Sequence, residues 1–171
     1  MASDSLAKFS ELLRYQLYEC NDQQIALNKE IAYLENFIEL EKLRQNKVEV
    51  DIQMDRQHTK HLDISPFILM TFVENAFKHV SKHTGQPNWI SIKLNVDQQQ
   101  LDFVISNSTS SDKSHDVVKY SGIGLKNVQR RLDLVYPGQY ELKILNDPEC
   151  FEVRLRLKLA ELVLSPALQM V

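Results

Sequence analysis

The sequence predicts an α+β fold, a two-layer sandwich of about five mostly antiparallel strands with helices on one face. Alternation of apolar and polar residues predicts the strands, at Val48–Met54, Trp89–Val96, Leu101–Ile105, Tyr140–Leu145 and Phe151–Leu159. Apolar residues at helical spacing predict the helices, at Ser5–Cys20, Leu27–Gln45, Ser65–His83 and Ser121–Tyr136. A helical segment over residues 1–46 therefore precedes the sandwich over residues 47–160, and a short apolar tail follows over residues 161–171.

The composition is that of an ordinary folded domain and disfavours several functional classes. Of 171 residues, 43% are hydrophobic and 25% are charged, which are common values. The net charge of −3 gives no reason to expect nucleic acid as a partner. The longest apolar runs are far shorter than the roughly 20 residues that span a bilayer. Cys20 and Cys150 stand far apart and in no motif, so they predict neither a disulfide nor a metal site.

The helix predicted over Ser65–His83 carries a packing face and a polar face. Ser65 followed by Pro66 is typical of an N-cap and a first helical residue. Apolar residues form one wide stripe, at Ile68, Leu69, Phe72, Val73, Ala76, Phe77 and Val80. Polar residues three or four positions apart share the other face, and they are Asn75, Lys78, His79 and Lys82. An amide oxygen beside cationic groups can hold a metal-bound polyphosphate, and an ordinary solvated face is the alternative.

A short glycine motif opens the last predicted helix. Gly122 and Gly124 are two of only four glycines in the chain. Glycine permits close backbone approach, and the free N–H groups at a helix N-terminus bind phosphate. The motif follows the Ser65–His83 helix and a predicted hairpin, and this order strengthens a phosphate-binding interpretation.

Three motifs in this order carry a family resemblance: FVENAFKH, then SNS at Ser106–Ser108, then GIGLKNVQRRLDLVY. Together they resemble the ATP-binding half of LytS/YehU-type sensor histidine kinases, which have the ATPase fold of DNA gyrase B, MutL and the heat-shock chaperone. The upstream text FSELLRYQLYE is similar to the segment that follows the phosphoacceptor helix in that family. The resemblance covers Leu6–Leu159 and implies a remnant of the dimerisation hairpin over residues 1–46. It implies the ATP-binding catalytic domain over residues 47–160.

The resemblance implies ATP and Mg²⁺ as cofactors. Asn75 matches a Mg²⁺ ligand that acts through its side-chain oxygen, and Mg²⁺ prefers oxygen ligands while keeping several waters. Glu74 matches the family's glutamate, and as the catalytic residue it would orient a metal-bound water or assist proton removal from an imidazole. An ion pair between Glu74 and Lys78, one helical turn apart, is the structural alternative.

The resemblance also implies the residues that contact the nucleotide. Lys78 and His79 match positions on the phosphate side, where a lysine supplies a point charge. The glycine-rich box and the first turn of its helix, where anions are favoured, contribute Gly122, Gly124, Leu125, Lys126 and Asn127.

One departure from the superfamily pattern concerns the adenine. Relatives end the strand after the hairpin in Asp-x-Gly-x-Gly, and that aspartate clamps the adenine amine. Here Ser106-Asn107-Ser108 stands in its place, so Ser106 aligned with the aspartate offers a neutral hydroxyl, and Asn107 can also accept from the amine. Because charged hydrogen bonds are roughly twice as strong as neutral ones, we expect weak adenine affinity. The polar stretch Thr109–Tyr120 is expected to form a lid over ATP.

The resemblance implies macromolecular partners as well. In the parent kinase the γ-phosphoryl would pass to a histidine on the phosphoacceptor helix and then to a response regulator. None of the five histidines has the context of the phosphoacceptor, so this chain is expected to bind ATP without phosphorylating itself. The apolar stripe over residues 5–20 is expected to form a homodimer. The chain is expected to be the cytoplasmic portion of a membrane-anchored bacterial sensor.

Two other functional classes stay open. A nucleotide-independent dimeric scaffold of the same fold is favoured by the SNS departure. An ATPase that couples hydrolysis to conformational change is disfavoured, because gyrase-like and chaperone-like relatives have no counterpart of FSELLRYQLYE.

Overall fold

The computed structural model describes Ser10 and residues 24–55, 59–110 and 116–161. The elements are β1 (Ile25–Ala26), α1 (Leu27–Arg44), β2 (Val48–Met54), β3 (Leu62–Ile64), α2 (Ile68–His79), β4 (Asn88–Asp97), β5 (Gln100–Ser108), α3 (Asp116–Val135), β6 (Tyr140–Asn146), β7 (Cys150–Lys158) and β8 (Ala160–Glu161). The expected homodimer segment over residues 5–20 lies outside the described residues, apart from Ser10. So do most of the tail and the centre of the expected lid. No helix in the described ranges is long and apolar enough to cross a bilayer.

The main sheet has five strands in the order β2-β4-β5-β7-β6. Strand β2 runs parallel to β4, and the other three pairs are antiparallel. This confirms the predicted sandwich of mostly antiparallel strands. A second, three-stranded sheet in the order β1-β3-β8 was not predicted, because its strands are only two or three residues long.

One face of the main sheet packs against the helices and the other is polar. In β5 the residues Leu101, Phe103 and Ile105 are buried, while the alternate positions are only partly buried. The ring of Phe103 lies 6.3 Å from that of Phe72 in α2, measured between centroids. On the opposite face Arg156 of β7 donates to Asp102 of β5 at 2.9 Å. The alternation in sequence thus separates a core from a solvated face.

Helix α2 begins two residues later than predicted, at Ile68 rather than Pro66. Phe67 occupies the N-cap position in a left-handed conformation, with φ 62°, and no side chain caps the helix. Ser65 is buried, and its backbone N–H and side-chain hydroxyl both make tertiary hydrogen bonds instead of capping the helix. Its N–H donates to the hydroxyl of Tyr136 at 2.7 Å, and its Oγ accepts from Arg131 at 3.0 Å. The N-cap prediction for Ser65 was therefore wrong, because contacts with α3 satisfy this serine.

Helix α3 begins earlier than the glycine motif predicted. It runs from Asp116 to Val135, so Gly122 and Gly124 lie inside it rather than at its N-terminus. The sequence from Asp116 to Ser121 contains no glycine or proline that would stop a helix. Each glycine inside the helix lowers helix stability by about 1 kcal/mol relative to alanine. The backbone hydrogen bonds of the continued helix offset this loss. The prediction that Lys126 and Asn127 lie in the first turn was wrong.

Candidate functional site

In the described part of the chain helix α2 lies between α1 and α3 and contacts each of them with a different side. Phe77 packs edge-on against Phe37 of α1, with ring centroids 6.0 Å apart. Asn75 and His79 lie on the side opposite Phe77, because an α-helix has about 3.6 residues per turn. Both are half-buried. They therefore face away from α1 and towards α3.

Helix α3 runs antiparallel to α2. Its C-terminal part contacts the start of α2, through the hydrogen bond from Arg131 to Ser65, and the two helices pack along each other. With a rise of about 1.5 Å per residue in both helices, the part of α3 around Gly124 lies alongside Asn75 and His79. The antiparallel course places Gly124 on the part of α3 that runs alongside the C-terminal half of α2, although a Cβ on Gly124 would meet no atom within 4 Å.

His79 has a ring nitrogen, Nε2, that is buried. Its Nε2 has no hydrogen-bond partner among the described residues. Burial, followed by the charge of Lys78, holds the pKa of His79 below its ordinary value. Both effects favour the neutral imidazole over the charged form. A buried polar atom without a partner costs about 1–3 kcal/mol, so its presence marks a place where a bound molecule would supply a partner.

Asn107 is a buried amide at the end of β5. It is 1% exposed and lies in register between Ile90 of β4 and Phe151 of β7. Helix α2 runs in the same direction as β5, because Phe72 contacts Phe103 and the N–H of Ser81 donates to the carbonyl of Ser108 at 2.8 Å. Asn107 therefore lies beneath the C-terminal half of α2, on the same side of the sheet as Asn75 and His79.

Ser106, the expected replacement for the superfamily aspartate, faces the other way. Its register neighbours Ser91 and Glu152 belong to the polar face of the sheet. The structure therefore does not bring Ser106 to the site, and Asn107 takes the helix-facing position. The signal was available in the sequence, because counting by two from Phe103 reaches Asn107 and not Ser106.

The structure adds a buried polar cluster that the sequence analysis missed, formed by Ser81, Asn88 and Ser108. The Oγ of Ser81 donates to Oδ1 of Asn88 at 2.7 Å and lies 2.6 Å from Oγ of Ser108. The N–H of Trp89 donates to Oγ of Ser108 at 2.9 Å, and the N–H of His83 donates to Oδ1 of Asn88 at 2.8 Å. The cluster joins the end of α2, the start of β4 and the end of β5.

Glu74 and Lys78 lie apart from the polar side of α2. They line a groove of about 570 Å³ between α1 and α2, together with Phe37, Glu41, Arg44, Gln45, Phe77 and Lys82. Burial, and then the charge of Glu41, raises the pKa of the Glu74 carboxyl. Within the described part of the chain Glu74 and Lys78 form no ion pair, although both line this groove. The predicted site residues therefore divide between two sides of α2.

The remaining predicted residues lie on α3. Leu125 is half-buried and packs against the hydrophobic core, while Lys126 and Asn127 are exposed. A Cβ placed on Gly124 would meet no atom within 4 Å. Packing in this conformation therefore gives no reason for a glycine at this position.

The side chains on this side of α2 suit a cation that is bound together with a polyphosphate. They suit a cation bound by protein groups alone less well. Among the described residues no three His, Cys, Asp or Glu side chains come together as metal ligands. Asn75 supplies one amide oxygen on the polar side of α2. One protein oxygen with phosphate oxygens and waters is a common Mg²⁺ environment.

Comparison with known proteins matches the chain to histidine kinases. Residues 1–48 match the sequence model of a family described as histidine kinase. Over 142 residues, 77% of its length, the chain is 30% identical to sensor protein LytS of Staphylococcus haemolyticus. The chain spans about a quarter of that relative, 24% of its length.

Two solved structures share the fold. The histidine kinase domain of the blue-light activated kinase from Erythrobacter litoralis superposes with a TM-score of 0.56 and 13% identity, covering 91% of this chain and 80% of that one. Full-length ShkA in complex with AMPPNP gives a TM-score of 0.57 and 15% identity, covering 81% of this chain and 31% of that one. Sequence and fold together show that the chain belongs to the LytS-type sensor histidine kinases and has the fold of their ATP-binding catalytic domain.

Proposed function

We propose that the chain binds Mg-ATP on the side of α2 that faces α3, as the catalytic domain of a two-component sensor histidine kinase. One observation carries the proposal. Helical spacing and strand register put the amide of Asn75 and Nε2 of His79 on the side of α2 away from α1, and the buried amide of Asn107 on the helix-facing side of β5. Nε2 of His79 is buried without a partner among the described residues, which is expensive unless a partner is supplied, and a nucleotide would supply one.

Each of these groups has a distinct role in the proposal. The side-chain oxygen of Asn75 would be the protein ligand of Mg²⁺. The ring nitrogen of His79 would bond a phosphate oxygen, donating from Nε2 in its neutral form. Oδ1 of Asn107 would accept a hydrogen bond from the exocyclic amine of adenine. Bound Mg-ATP supplies the γ-phosphoryl group, and these side chains orient it.

The glycine motif and its neighbours would contact the phosphates. Gly122 and Gly124 lie inside α3, where their N–H groups belong to the helix, and the side chains of Lys126 and Asn127 are exposed to solvent. Phosphate contact through this backbone therefore requires the helix to open at the glycines. The cost is small there, because glycine is the weakest helix former after proline.

For Glu74 the proposed role is proton exchange, not nucleotide binding. Its carboxyl lies in the groove beside α1 and its pKa is raised, so it retains a proton to higher pH than an ordinary glutamate. A group of this kind can exchange a proton with an acceptor histidine that approaches the phosphates from the groove side. The role of Glu74 as the catalytic residue stays a prediction.

In the parent protein the γ-phosphoryl would pass to a histidine on the phosphoacceptor helix, and from there to an aspartate of a response regulator. Residues 5–20 would contribute to a homodimer. We place the chain on the cytoplasmic side of a membrane-anchored bacterial sensor.

Calorimetric titration with ATP and ADP, with and without Mg²⁺, tests the proposal. The unsubstituted chain should bind both nucleotides, and Asn75→Ala should bind ATP without Mg²⁺ dependence. Asn95→Ala is the matched control, because Asn95 is an exposed asparagine on the polar face of β4, and it should bind as the unsubstituted chain does. Absence of binding to the unsubstituted chain would contradict the proposal and favour the nucleotide-independent dimeric scaffold.

A further inference from the structure

Strand β6 forms one edge of the main sheet. It pairs with β7 on one side, and no described strand pairs with its other side. Residues that lie opposite each other in antiparallel strands alternately exchange backbone hydrogen bonds and do not. The N–H of Lys158 donates to the carbonyl of Gln139 at 2.9 Å. At the other end, the N–H of Asp147 donates to the carbonyl of Cys150 at 2.8 Å. The odd-numbered residues of β6 therefore bond to β7. The backbone groups that point towards the free edge belong to the even-numbered residues, which are Tyr140, Leu142, Ile144 and Asn146.

Exposed apolar side chains concentrate at this edge. Four of the five large hydrophobic side chains that are exposed among the described residues belong to the end of α3 or to β6, and they are Leu134, Val135, Ile144 and Leu145. Ile144 is 41% exposed, although Val153, which lies opposite it in β7, is only 1% exposed. The hydroxyl of Tyr140 donates to Asp133 at 2.5 Å, so the end of α3 lies beside β6. Free backbone groups beside exposed apolar side chains make an edge strand a template for another strand.

The charges of β6 determine which strand fits this edge. Glu141 and Lys143 are exposed on the polar face of the sheet, and their charged groups lie 2.8 Å apart. If a second β6 pairs antiparallel about a twofold axis at Leu142, Glu141 of each copy lies opposite Lys143 of the other. Both pairs occupy non-hydrogen-bonded positions, where opposite side chains come closest. Tyr140 of each copy then lies opposite Ile144 of the other on the helix-facing side, which covers the exposed isoleucine.

A shift of the axis by one residue destroys this match. An axis at Glu141 would place the two Glu141 side chains opposite each other, and an axis at Lys143 would do the same to the two lysines. Like charges that lie directly opposite each other are destabilising. The register about Leu142 is therefore the one in which both charges of β6 meet an opposite charge.

Strand β2, at the other edge of the main sheet, has no such charge pattern. Between Val48 and Met54 it carries Glu49 and Asp51 and no cation. Antiparallel pairing of two β2 strands about Val50 would place Glu49 of each copy opposite Asp51 of the other. Like charges therefore oppose self-association at β2, and complementary charge is specific to β6.

We infer that the β6 edge is an interface for a second copy of this chain, which pairs antiparallel through its own β6 about an axis at Leu142. The two main sheets, of five strands each, become one continuous sheet with the helices of both copies on the same side. The interface uses neither residues 5–20 nor the polar side of α2. It therefore goes beyond the proposed function and does not depend on nucleotide.

Sedimentation velocity of the full chain over a concentration series, without nucleotide, tests the interface. The unsubstituted chain should dimerise, and Glu141→Lys or Lys143→Glu should each weaken the dimer at least about tenfold, because two attractive pairs become repulsive. Mixing these two variants should restore association, since every charge pair between them is again of opposite sign. Lys93→Glu is the matched control, because Lys93 is an exposed lysine on the polar face of β4, and it should leave association unchanged.

Two further variants test the register and the backbone pairing. The double variant Glu141→Lys, Lys143→Glu should dimerise as the unsubstituted chain does, whereas an axis at either residue would leave like charges opposite each other. Ile144→Pro removes a backbone donor that points to the free edge and leaves the bonds to β7 in place. It should abolish the dimer while thermal unfolding still shows a folded chain, and the charge variants carry the test where it does not fold.

Three results would overturn the inference. The first is an unsubstituted chain that stays monomeric throughout the series. The second is a dimer that neither the single charge variants nor Ile144→Pro weaken, because association would then lie elsewhere, for example in residues 5–20. The third is loss of the dimer in both charge variants without recovery on mixing, because charge complementarity would then not be its cause. None of these results affects the proposed function, which the nucleotide titration tests separately.

Discussion

The helix-facing side of β5 has two ends that are equally buried but differently built. At the apolar end Leu101, Phe103 and Ile105 are at most 2% exposed, and at the polar end Asn107 is 1% exposed. The first end is stabilised by removing apolar surface from water, the second by hydrogen bonds that satisfy buried polar groups. Burial alone therefore does not separate core from site. What distinguishes the polar end is a set of buried polar groups that are hydrogen-bonded to one another and to the backbone.

The largest effect is expected at the apolar end. Phe103→Ala should lower the free energy of unfolding by about 3–5 kcal/mol, since it removes a fully buried aromatic side chain that contacts Phe72. Urea denaturation of the variant and of Val104→Ala would measure the difference. Val104 is the next residue on the polar face and only half-buried, so its truncation should cost much less. If the two variants lost the same free energy of unfolding, the two faces of β5 would not differ in their contribution to stability.

A smaller loss is expected at the polar end. Asn88→Ala should cost about 1–3 kcal/mol, because it leaves two buried donors without their acceptor, the hydroxyl of Ser81 and the N–H of His83. The matched control is Asn95→Ala, whose side chain is exposed on the same strand. Urea midpoints for the two variants would test this, and an Asn88→Ala variant as stable as the control would show that the cluster adds nothing to the fold.

Periodicity predicted most of the fold because one-sided burial leaves a pattern in sequence. The helices at Leu27–Arg44 and Ile68–His79 and the strands of the main sheet each bury one face, and all were predicted to within a few residues. The sheet β1-β3-β8 left no such pattern, since two or three residues are too few for a period. The capping prediction for Ser65 failed because a local motif cannot reveal that Tyr136 and Arg131 lie beside it in the fold.

The candidate site was only partly predictable, for related physical reasons. Motif resemblance predicted Asn75, His79 and Asn107 as site residues. Helical spacing predicted Lys78 and Lys82 on the same face as Asn75 and His79, whereas both lysines line the groove beside α1. The structure separates Glu74 from Asn75, although they are adjacent in sequence, because neighbouring helical residues point about 100° apart. The cluster of Ser81, Asn88 and Ser108 comes from three elements, and no spacing along the chain brings it together.

The smallest expected change in stability is a gain rather than a loss, and it concerns a glycine in α3. Gly124→Ala should raise the free energy of unfolding by about 0.5–1 kcal/mol, because alanine is the better helix former and its Cβ would meet nothing within 4 Å. Gly138→Ala is the contrast, since Gly138 has φ +68° and alanine there should cost about 1 kcal/mol. Urea denaturation would measure both changes.

The same Gly124→Ala variant should bind Mg-ATP more weakly despite being more stable. Phosphate contact through the backbone requires α3 to open at its glycines, and alanine makes that opening harder by the amount it stabilises the helix. A gain of 0.5–1 kcal/mol corresponds to a loss of about two- to fivefold in affinity, measurable by the same calorimetric titration. A stabilised variant with unchanged affinity would mean that the nucleotide is bound without opening the helix. The glycine motif would then need another explanation, because neither packing nor backbone conformation calls for a glycine at position 124 in this structure.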